Sequence, residues 1–195
     1  MIVSSPGIVV DDKGVPRCWW AVGTADHLTY HDDEWGVPVH GEAGLYERLT
    51  LEAFQSGLSW LTILRKRAGF RAAFAGFDAE AVAAFGDADI KRLMADTSIV
   101  RNRLKITATV TNARAVVRLR DQGGIDELFW SFAPAGRPQP RTPADVPATT
   151  PESAELAKAL KRNGFVFVGP TTAYAGMQAC GLVNDHLAGC HRGRT

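Results

Sequence analysis

The sequence predicts an all-α fold, and three observations support that prediction. Apolar residues recur at helical spacing along much of the chain, and the segments that carry them are rich in Ala, Leu and Arg. The only strand-like run, FVFV at 165–168, lies between glycines and is too short to require a sheet. With 195 residues, of which 46% are hydrophobic, the chain is expected to form one domain around one core.

Local start and stop signals divide the N-terminal part of the chain into helices. The first helix is predicted over about 42–56, after a glycine-bounded turn, and Gly57 ends it. A second helix is predicted to begin near Ser59. Three more helices are predicted at about 78–85, 87–96 and 101–121. Asp78 and Asp87 suit the starts of the first two, and the glycine pair at 123–124 ends the third.

The C-terminal part contains a proline-rich loop followed by a pair of helices. Six prolines at about 133–151 predict an ordered loop rather than a regular element. Thr150 suits a helix N-cap with Pro151 in the first helical position, and Gly164 ends that helix. A hairpin at about 164–172 opens the next helix, whose free backbone N–H groups could hold one phosphate. The alternative is a plain helix–turn–helix packing unit.

The N-terminal segment and the overall charge limit the possible functions. Residues 1–16 hold only short apolar runs, so a flexible tail is expected before a single domain at 17–195. Neither a secretory leader nor a membrane-length apolar window is present, and three cysteines are too few for a disulfide framework. A cytoplasmic protein without membrane contact is therefore expected. Because the net charge is only +1, any contact with DNA must be local.

Four soft metal ligands lie near the two ends of this cysteine-poor chain. Two thiolates and two imidazoles form a complete tetrahedral zinc set, which leaves no position for water or substrate. On a helix, the last two ligands would lie one turn apart on one face. Cys180 and three other histidines compete for the role, and ordinary buried cysteines with hydrogen-bonded histidines are the alternative. The four candidate ligands of this structural zinc are Cys18, His31, His186 and Cys190.

One acidic side chain falls on an apolar helical face. Glu52 follows Leu49 by three residues and Leu45 by seven, so the three side chains share a face. A carboxyl group in apolar surroundings tends to have a raised pKa, and such groups concentrate in functional pockets. The alternative is a glutamate at the helix edge that reaches solvent.

Aromatic side chains cluster close to this acid in the sequence. Their faces can stack on a flat polar ring while the acid accepts its N–H groups, so the pattern favours a purine or pyrimidine as ligand. Tryptophan clusters are also common as plain core, and this alternative stays open. The cluster comprises Trp19, Trp20, Tyr30, Trp35 and Trp60.

Five collinear motifs carry a resemblance to a known family. They are RCWW at 17–20, YHDDEWGVP at 30–38, LEAFQSGLSW at 51–60, FVFVG at 165–169 and MQACGLVNDH at 177–186. Together they extend over nearly the whole chain and resemble the bacterial 3-methyladenine DNA glycosylase I family. The resemblance implies a helix-hairpin-helix DNA glycosylase whose ends are tied by one structural zinc, held by the four ligands named above.

The resemblance also assigns roles to individual residues. Glu52 and Tyr30 fall on the positions that hydrogen-bond the excised base at the catalytic centre, and Glu52 is interpreted as recognising the base rather than as a general base. Trp60 falls on the position that stacks against the base, and Trp20 and Trp35 match other pocket aromatics. The positions matched to DNA contacts are Leu58 and Gln55, in a turn expected to press into the duplex, and Gly169, Thr171 and Thr172, in the phosphate-gripping hairpin.

The implied activity is hydrolysis of the N-glycosidic bond of 3-methyladenine in alkylated double-stranded DNA. The base would be flipped out of the duplex and released free, leaving an abasic site. Other enzymes of the superfamily place a catalytic lysine after the hairpin glycine, whereas this chain has PTTA at 170–173, so no lyase step is expected. The resemblance further implies a monomer in the bacterial cytoplasm that acts at the nucleoid.

One departure and two rival functions stay open. His27 stands where the family often has a tyrosine, so its contact with the base is undetermined. A zinc hydrolase would use His31 and Glu34 around an open metal, which requires fewer than four protein ligands. A non-catalytic helical DNA-binding module would need only the hairpin and the metal, and would leave Glu52 unexplained.

Overall fold

The computed structural model describes residues 2–193, and these form a mostly helical protein. The α-helices of this part of the chain are α1 (Ala25–Asp33), α2 (Glu42–Gln55), α3 (Trp60–Ala73), α4 (Ala79–Ala83), α5 (Asp87–Ala95), α6 (Arg103–Leu119), α7 (Gly124–Trp130), α8 (Pro151–Arg162) and α9 (Pro170–Ala179). None of these described helices is long and apolar enough to cross a membrane.

Helix α2 lies at the centre of the core. Leu45, Leu49 and Phe54 are almost completely buried, and the helix packs against α3, α6, α7 and α9. Helix α6 packs in turn against α4 and α5, while α8 packs against α9. Because neighbours surround α2, the acidic side chain that follows Leu49 by one turn is carried into the interior.

Side-chain caps begin several helices where the sequence predicts a start. Ser59 Oγ accepts a hydrogen bond from the Thr62 amide at 3.3 Å and begins α3. Thr150 Oγ1 accepts one from the Ser153 amide at 3.2 Å, and Pro151 is the first residue of α8. The other predicted helices correspond to α2, α4, α5, α6 and α9. Helices α1 and α7 are not predicted, because α1 is largely polar and α7 has only seven residues.

The N-terminal segment forms a small sheet where the sequence predicts a flexible tail. Three antiparallel strands lie in the order β1 (Ile2–Ser5), β2 (Ile8–Val10) and β3 (Pro16–Cys18). Ile8 pairs with Cys18, is 1% exposed, and packs in an apolar cluster with Leu187 and Cys190. The structure thus shows packed strands within the segment predicted to be a flexible tail, because they contact residues from the other end of the chain. The predicted all-α class holds at the level of a mostly helical fold, to which this short sheet is added. Residue 1 of the predicted tail and the last two residues of the predicted domain lie outside the described range.

The segment after α9 is irregular. His186 and Cys190 lie in loop and turn conformations, so the prediction that they lie one helical turn apart is wrong. Gly189 has a φ of 91°, a left-handed conformation that breaks helical geometry. The Ala188 amide donates to Pro140 O at 2.7 Å, which ties this segment to the proline-rich loop. That loop contains a short 3-10 turn, Pro143–Asp145.

Candidate active site

A cavity of about 360 Å³ lies between α1, α2, α3 and α9. This volume lies within the usual range for small-molecule sites. The cavity walls are largely aromatic, and Glu52 is the one acidic residue among the described residues that line it. The structure brings together all five residues that the sequence analysis assigns to the base pocket, namely Trp20, Tyr30, Trp35, Glu52 and Trp60.

Glu52 extends from α2 into the cavity and is 7% exposed. The alternative of a glutamate at the helix edge that reaches solvent is therefore wrong. Burial raises the pKa of Glu52 to about 8, and the positive charge of Arg48 opposes this shift only in part. At neutral pH the empty cavity therefore holds a mostly protonated acid, which a cationic ligand would convert into a carboxylate.

Aromatic rings form the walls on either side of this acid. The ring centroids of Tyr30 and Trp60 are 5.2 Å apart, and those of Trp20 and Trp35 are 5.0 Å apart. Burial, together with the charge of Glu52, raises the pKa of Tyr30 well above its usual value, so the phenol stays protonated. The indole N–H of Trp60 is buried without a hydrogen-bond partner. The cavity thus combines aromatic ring faces, polar side chains and one acid.

Residues without a predicted role in base binding complete the walls. His27 lines the cavity, and its ring meets Trp20 edge-on at a centroid distance of 6.2 Å. Position 27 therefore contributes an aromatic ring here, although the family often has a tyrosine. Helix α9 supplies Gln178, whose membership of the matched motif at 177–186 was the available sequence signal. Trp19 is 45% exposed and does not line the cavity.

Ion pairs hold α1, α2 and α3 together next to the cavity. Arg67 donates to both carboxylate oxygens of Glu34 at 2.6 Å, and Arg48 donates to one of them at 2.8 Å. Although burial raises the pKa of Glu34, hydrogen bonds from Arg67 lower it overall. The Glu34 carboxylate is therefore hydrogen-bonded by two guanidinium groups. A zinc hydrolase would need this carboxylate beside an open metal, so the arrangement disfavours the zinc hydrolase hypothesis.

A groove adjoins the cavity and shares Glu52 and Gln55 with it. One wall of the groove is the turn at 55–59, in which the Leu58 amide donates to Gln55 O at 2.7 Å. Gly57 adopts a left-handed φ of 81° in this turn, and the Leu58 side chain is 41% exposed. The fold therefore presents a leucine to solvent directly beside the cavity.

The opposite wall of the groove is the first turn of α9. Thr171 and Thr172 line it, and Gly169 is the N-cap residue of the helix. The first backbone N–H groups of a helix have no partner within the helix, so they are available to an anion. The structure places four of the five residues predicted to contact DNA, Gln55, Leu58, Thr171 and Thr172, on the two sides of one groove. The fifth, Gly169, caps the helix that forms one side.

Three of the four predicted metal ligands converge beside the sheet. Ligand atoms of Cys18, His31 and Cys190 lie within 4.8 Å of one another, and all three residues are buried. Cys190 Sγ is 3.4 Å from His31 Nε2. A hydrogen bond from the Cys18 thiol, together with one from His31, lowers the pKa of Cys190. Cys180, which competed for this role, lies in the main core instead.

His186 lies next to this group and has the properties of a fourth ligand. Its ring centroid is 4.7 Å from that of His31, and its Nε2 is buried without a hydrogen-bond partner. Its Nδ1 lies 2.8 Å from Asn184 Oδ1, just as His31 Nδ1 lies 2.7 Å from Asp32 Oδ1. The Nδ1 contact of His186 favours the tautomer in which its Nε2 lone pair is free, as metal ligation requires, whereas His31 Nε2 faces Cys190 Sγ. Burial lowers the pKa of His186 to about 4, which keeps the ring neutral.

The fold and the site together define a helical protein with an aromatic, acid-containing pocket for a flat polar ring, beside a groove formed by two loops. A family model described as methyladenine glycosylase matches residues 20–193. The chain therefore belongs to the methyladenine glycosylase family, and the resemblance in the sequence is confirmed. The predicted enzyme class, a glycosylase of this family, is confirmed with it.

Individual relatives and solved structures are similar over nearly their whole length. The chain is 45% identical over 180 residues to DNA-3-methyladenine glycosylase 1 of Escherichia coli (strain K12), covering 89% of this chain and 95% of the relative. It matches a crystal structure of 3-methyladenine DNA glycosylase I with a TM-score of 0.85 and 45% identity, covering 90% of this chain and 98% of that chain. A structure of a tyrosine-to-phenylalanine variant of 3-methyladenine DNA glycosylase I, in complex with 3-methyladenine, matches with a TM-score of 0.84 and 35% identity. The match covers 90% of this chain and 97% of that chain.

Proposed function

We propose that this chain removes 3-methyladenine from alkylated double-stranded DNA by hydrolysing its N-glycosidic bond, as a step of base-excision repair. The products are the free base and an intact strand with an abasic site. One observation carries the proposal: the buried carboxyl group of Glu52 faces an aromatic cavity, in a chain whose structural relatives include one bound to 3-methyladenine.

The cavity suits a base that carries a positive charge. Methylation at N3 gives the adenine ring a formal positive charge while the ring is still attached to deoxyribose. The faces of Trp20 and Trp60 attract a cationic ring, and the same charge opposes the effect of burial on the pKa of Glu52. Glu52 therefore releases its proton to solvent as the methylated base enters, and the resulting carboxylate accepts hydrogen bonds from the N–H groups of the base. An unmodified neutral base provides no such gain, so the pocket selects the lesion.

The base must leave the duplex before it can reach this cavity. Extrusion requires a few kcal/mol of unstacking, and less for a damaged base. Leu58 stands exposed on its turn beside the cavity, where it can fill the space that the extruded base vacates. The backbone N–H groups of Thr171 and Thr172 can hold a phosphate of the same strand. The groove thus supplies both contacts that base flipping needs.

Bond cleavage requires little acid catalysis, because the methylated base departs as a neutral ring. The Glu52 carboxylate orients the departing base and stabilises the electron-poor sugar that develops. Tyr30 donates a hydrogen bond from its neutral phenol to the base. Water adds its oxygen to C1′ and releases a proton to solvent. None of the described residues that line the cavity is a lysine. A Schiff base would need an amine at the sugar, so we expect base release without a lyase step.

A base-release assay tests this proposal. Methylated duplex DNA is incubated with the protein, and free bases are separated by chromatography; 3-methyladenine is the expected product. The treated DNA is then run on a denaturing gel with and without alkali, and strand breaks are expected only after alkali. DNA binding without base release would favour the non-catalytic module, and breaks without alkali would contradict the absence of a lyase step.

We further propose that one structural zinc ion per chain is held by Cys18, His31, His186 and Cys190. The buried, unpartnered Nε2 of His186 beside two thiols and a second imidazole supports this set. Bound zinc would link the two ends of the chain, and four protein ligands would leave no position for substrate. Zinc content measured by atomic absorption is expected to be one ion per chain, and a folded protein with no bound metal would contradict the proposal.

We infer that the protein acts as a monomer on DNA in the cytoplasm, at the nucleoid. The cavity and both groove walls come from one chain, so a second copy adds nothing that the site needs. Light scattering is expected to give the mass of one chain of 21.1 kDa, with and without a short duplex. A stable dimer would contradict this inference.

A further inference from the structure

Helix α6 carries a buried lysine that hydrogen-bonds the backbone beside the cavity. Lys105 is 8% exposed, and its Nζ donates to the carbonyl oxygens of Phe54 at 2.9 Å and Ser56 at 2.6 Å. These carbonyls end α2 and lead into the turn at 55–59. Burying an ammonium group is unfavourable unless it gains partners, and here those partners are carbonyls at a helix C-terminus, where a cation is favoured. Lys105 therefore fixes the turn that presents Leu58.

The same helix carries a buried amide that holds the other groove wall. Asn112 is 3% exposed; its Oδ1 accepts from the Val166 amide at 2.8 Å, and its Nδ2 donates to Val166 O at 3.1 Å. Both backbone polar groups of Val166 are therefore held by one side chain. The next residue, Phe167, has a φ of 57°, a left-handed conformation that is unfavourable for a bulky residue. Asn112 thus stabilises a strained turn between α8 and α9.

Lys105 and Asn112 are seven residues apart on a regular helix. That separation is close to two turns, so the two side chains share one face and lie about 10 Å apart along the axis. One holds the turn with Leu58, and the other holds the turn that leads into Thr171 and Thr172. We propose that α6 sets the distance between the two DNA-contacting loops, with Lys105 and Asn112 as positioning residues. This inference rests on the proposed function.

The consequence concerns base extrusion rather than base binding. If the spacing is fixed, Leu58 enters the duplex at a set distance from the phosphate held at the start of α9. Loosening either loop would leave the cavity intact but would lower the probability that both contacts form together. Free base should still bind, while release from duplex DNA should slow.

Lys66 provides a matched control for Lys105. Its Nζ also donates to a backbone carbonyl, that of Thr97 at 2.7 Å, but Thr97 lines neither the cavity nor the groove, whereas Ser56, bonded by Lys105, lines the groove. The test compares Lys105→Met, Lys66→Met and Asn112→Leu with wild type. Three quantities are measured for each: affinity for free 3-methyladenine, single-turnover release from methylated duplex at saturating enzyme, and affinity for a duplex with an abasic-site analogue.

Lys105→Met is expected to keep wild-type affinity for the free base and to lower the single-turnover rate about tenfold, the effect of losing charged hydrogen bonds. Asn112→Leu is expected to weaken binding to the abasic duplex about tenfold and to keep free-base affinity. Lys66→Met should match wild type in all three. For each measured quantity, the double variant Lys105→Met with Asn112→Leu should lose less than the two single variants lose together, because either change alone already breaks the spacing.

The inference is overturned if Lys105→Met releases base as fast as Lys66→Met, or if it loses free-base affinity in proportion to its rate. Should Lys105→Met fail to fold, Lys105→Gln is measured instead, because glutamine keeps a donor on a shorter side chain. The expected result is the same: wild-type affinity for the free base and a lower single-turnover rate. Failure of the proposed function is distinguishable, because wild type itself would then neither bind 3-methyladenine nor release it.

Discussion

In the function proposed here, the role of Glu52 depends on its protonation before and after a base enters the cavity. In the empty cavity, burial raises its pKa to about 8, so the group is mostly neutral at pH 7. Arg48 does not cancel this effect, because it is hydrogen-bonded to Glu34 at 2.8 Å and lies 3.6 Å from Glu47. A cationic base supplies the partner that the carboxylate lacks. Under the proposed function, selectivity for alkylated adenine would therefore depend on how little the protein itself stabilises the charge on Glu52.

The first prediction replaces this carboxyl group by an amide. Glu52→Gln keeps the size of the side chain but removes the charge and half of the acceptor capacity. Loss of a charged hydrogen bond in a dry pocket corresponds to roughly a ten- to hundredfold change. The variant should bind free 3-methyladenine much more weakly and release it more slowly, as measured by calorimetric titration and single-turnover assays. Wild-type values in both would remove Glu52 from the site.

The second prediction concerns the pH dependence of stability. The folded-state pKa of Glu52 is about 8 against an ordinary 4.5, so the folded protein binds this proton more tightly than the unfolded chain. The stabilising contribution is fully present below about pH 4.5 and is lost as pH rises to about 8. Glu52→Gln should therefore gain stability relative to wild type as pH rises, by a few kcal/mol at about 1.4 kcal/mol per pKa unit. Urea unfolding at pH 5 and pH 8.5 measures this difference, and a pH-independent difference would contradict it.

Elements that depend on local spacing could be predicted from the sequence, and those that depend on distant partners could not. The periodicity of Leu45, Leu49 and Glu52 placed the acid correctly, and the Thr150 cap marked the start of α8. The sheet was missed because Ile8 is buried by residues from the far end of the chain. The two positioning residues of α6 were missed for the same reason, since each bonds a loop about fifty residues away in sequence.

The third prediction concerns the turn at 55–59. Leu58→Ala removes the exposed side chain that is proposed to replace the extruded base, while the turn itself keeps its hydrogen bonds. Release of 3-methyladenine from duplex DNA should slow more than affinity for unmodified duplex falls. Leu104→Ala is a matched control, because Leu104 is 69% exposed and lines neither the cavity nor the groove. Equal losses on methylated and unmodified DNA would exclude this role for Leu58.

At the scale of the whole molecule, the N-terminal sheet and the segment after α9 pack together near the cavity. Strand β3 supplies Cys18 and α1 supplies His31, while the segment after α9 supplies His186 and Cys190. Trp20 and Tyr30, which line the cavity, lie next to the first two of these residues. A link between the ends would therefore hold the aromatic wall in place without touching the base. The metal ligands would then contribute to structure, and Glu52 to recognition.

The fourth prediction tests that link. Cys18→Ala should abolish stoichiometric zinc and lower the free energy of unfolding by several kcal/mol, because a structural metal is lost together with its constraint on both ends. Cys180→Ala makes the same chemical change at an equally buried thiol in the main core, so it measures the effect of the cavity alone, about 1 kcal/mol. His191 lies 2.9 Å from Asp32 and could replace a lost neighbour near Cys190, which makes Cys18 the better position. Denaturant unfolding and zinc analysis of both variants decide the matter: if Cys18→Ala keeps one zinc per chain and is as stable as Cys180→Ala, the ends are not joined by metal.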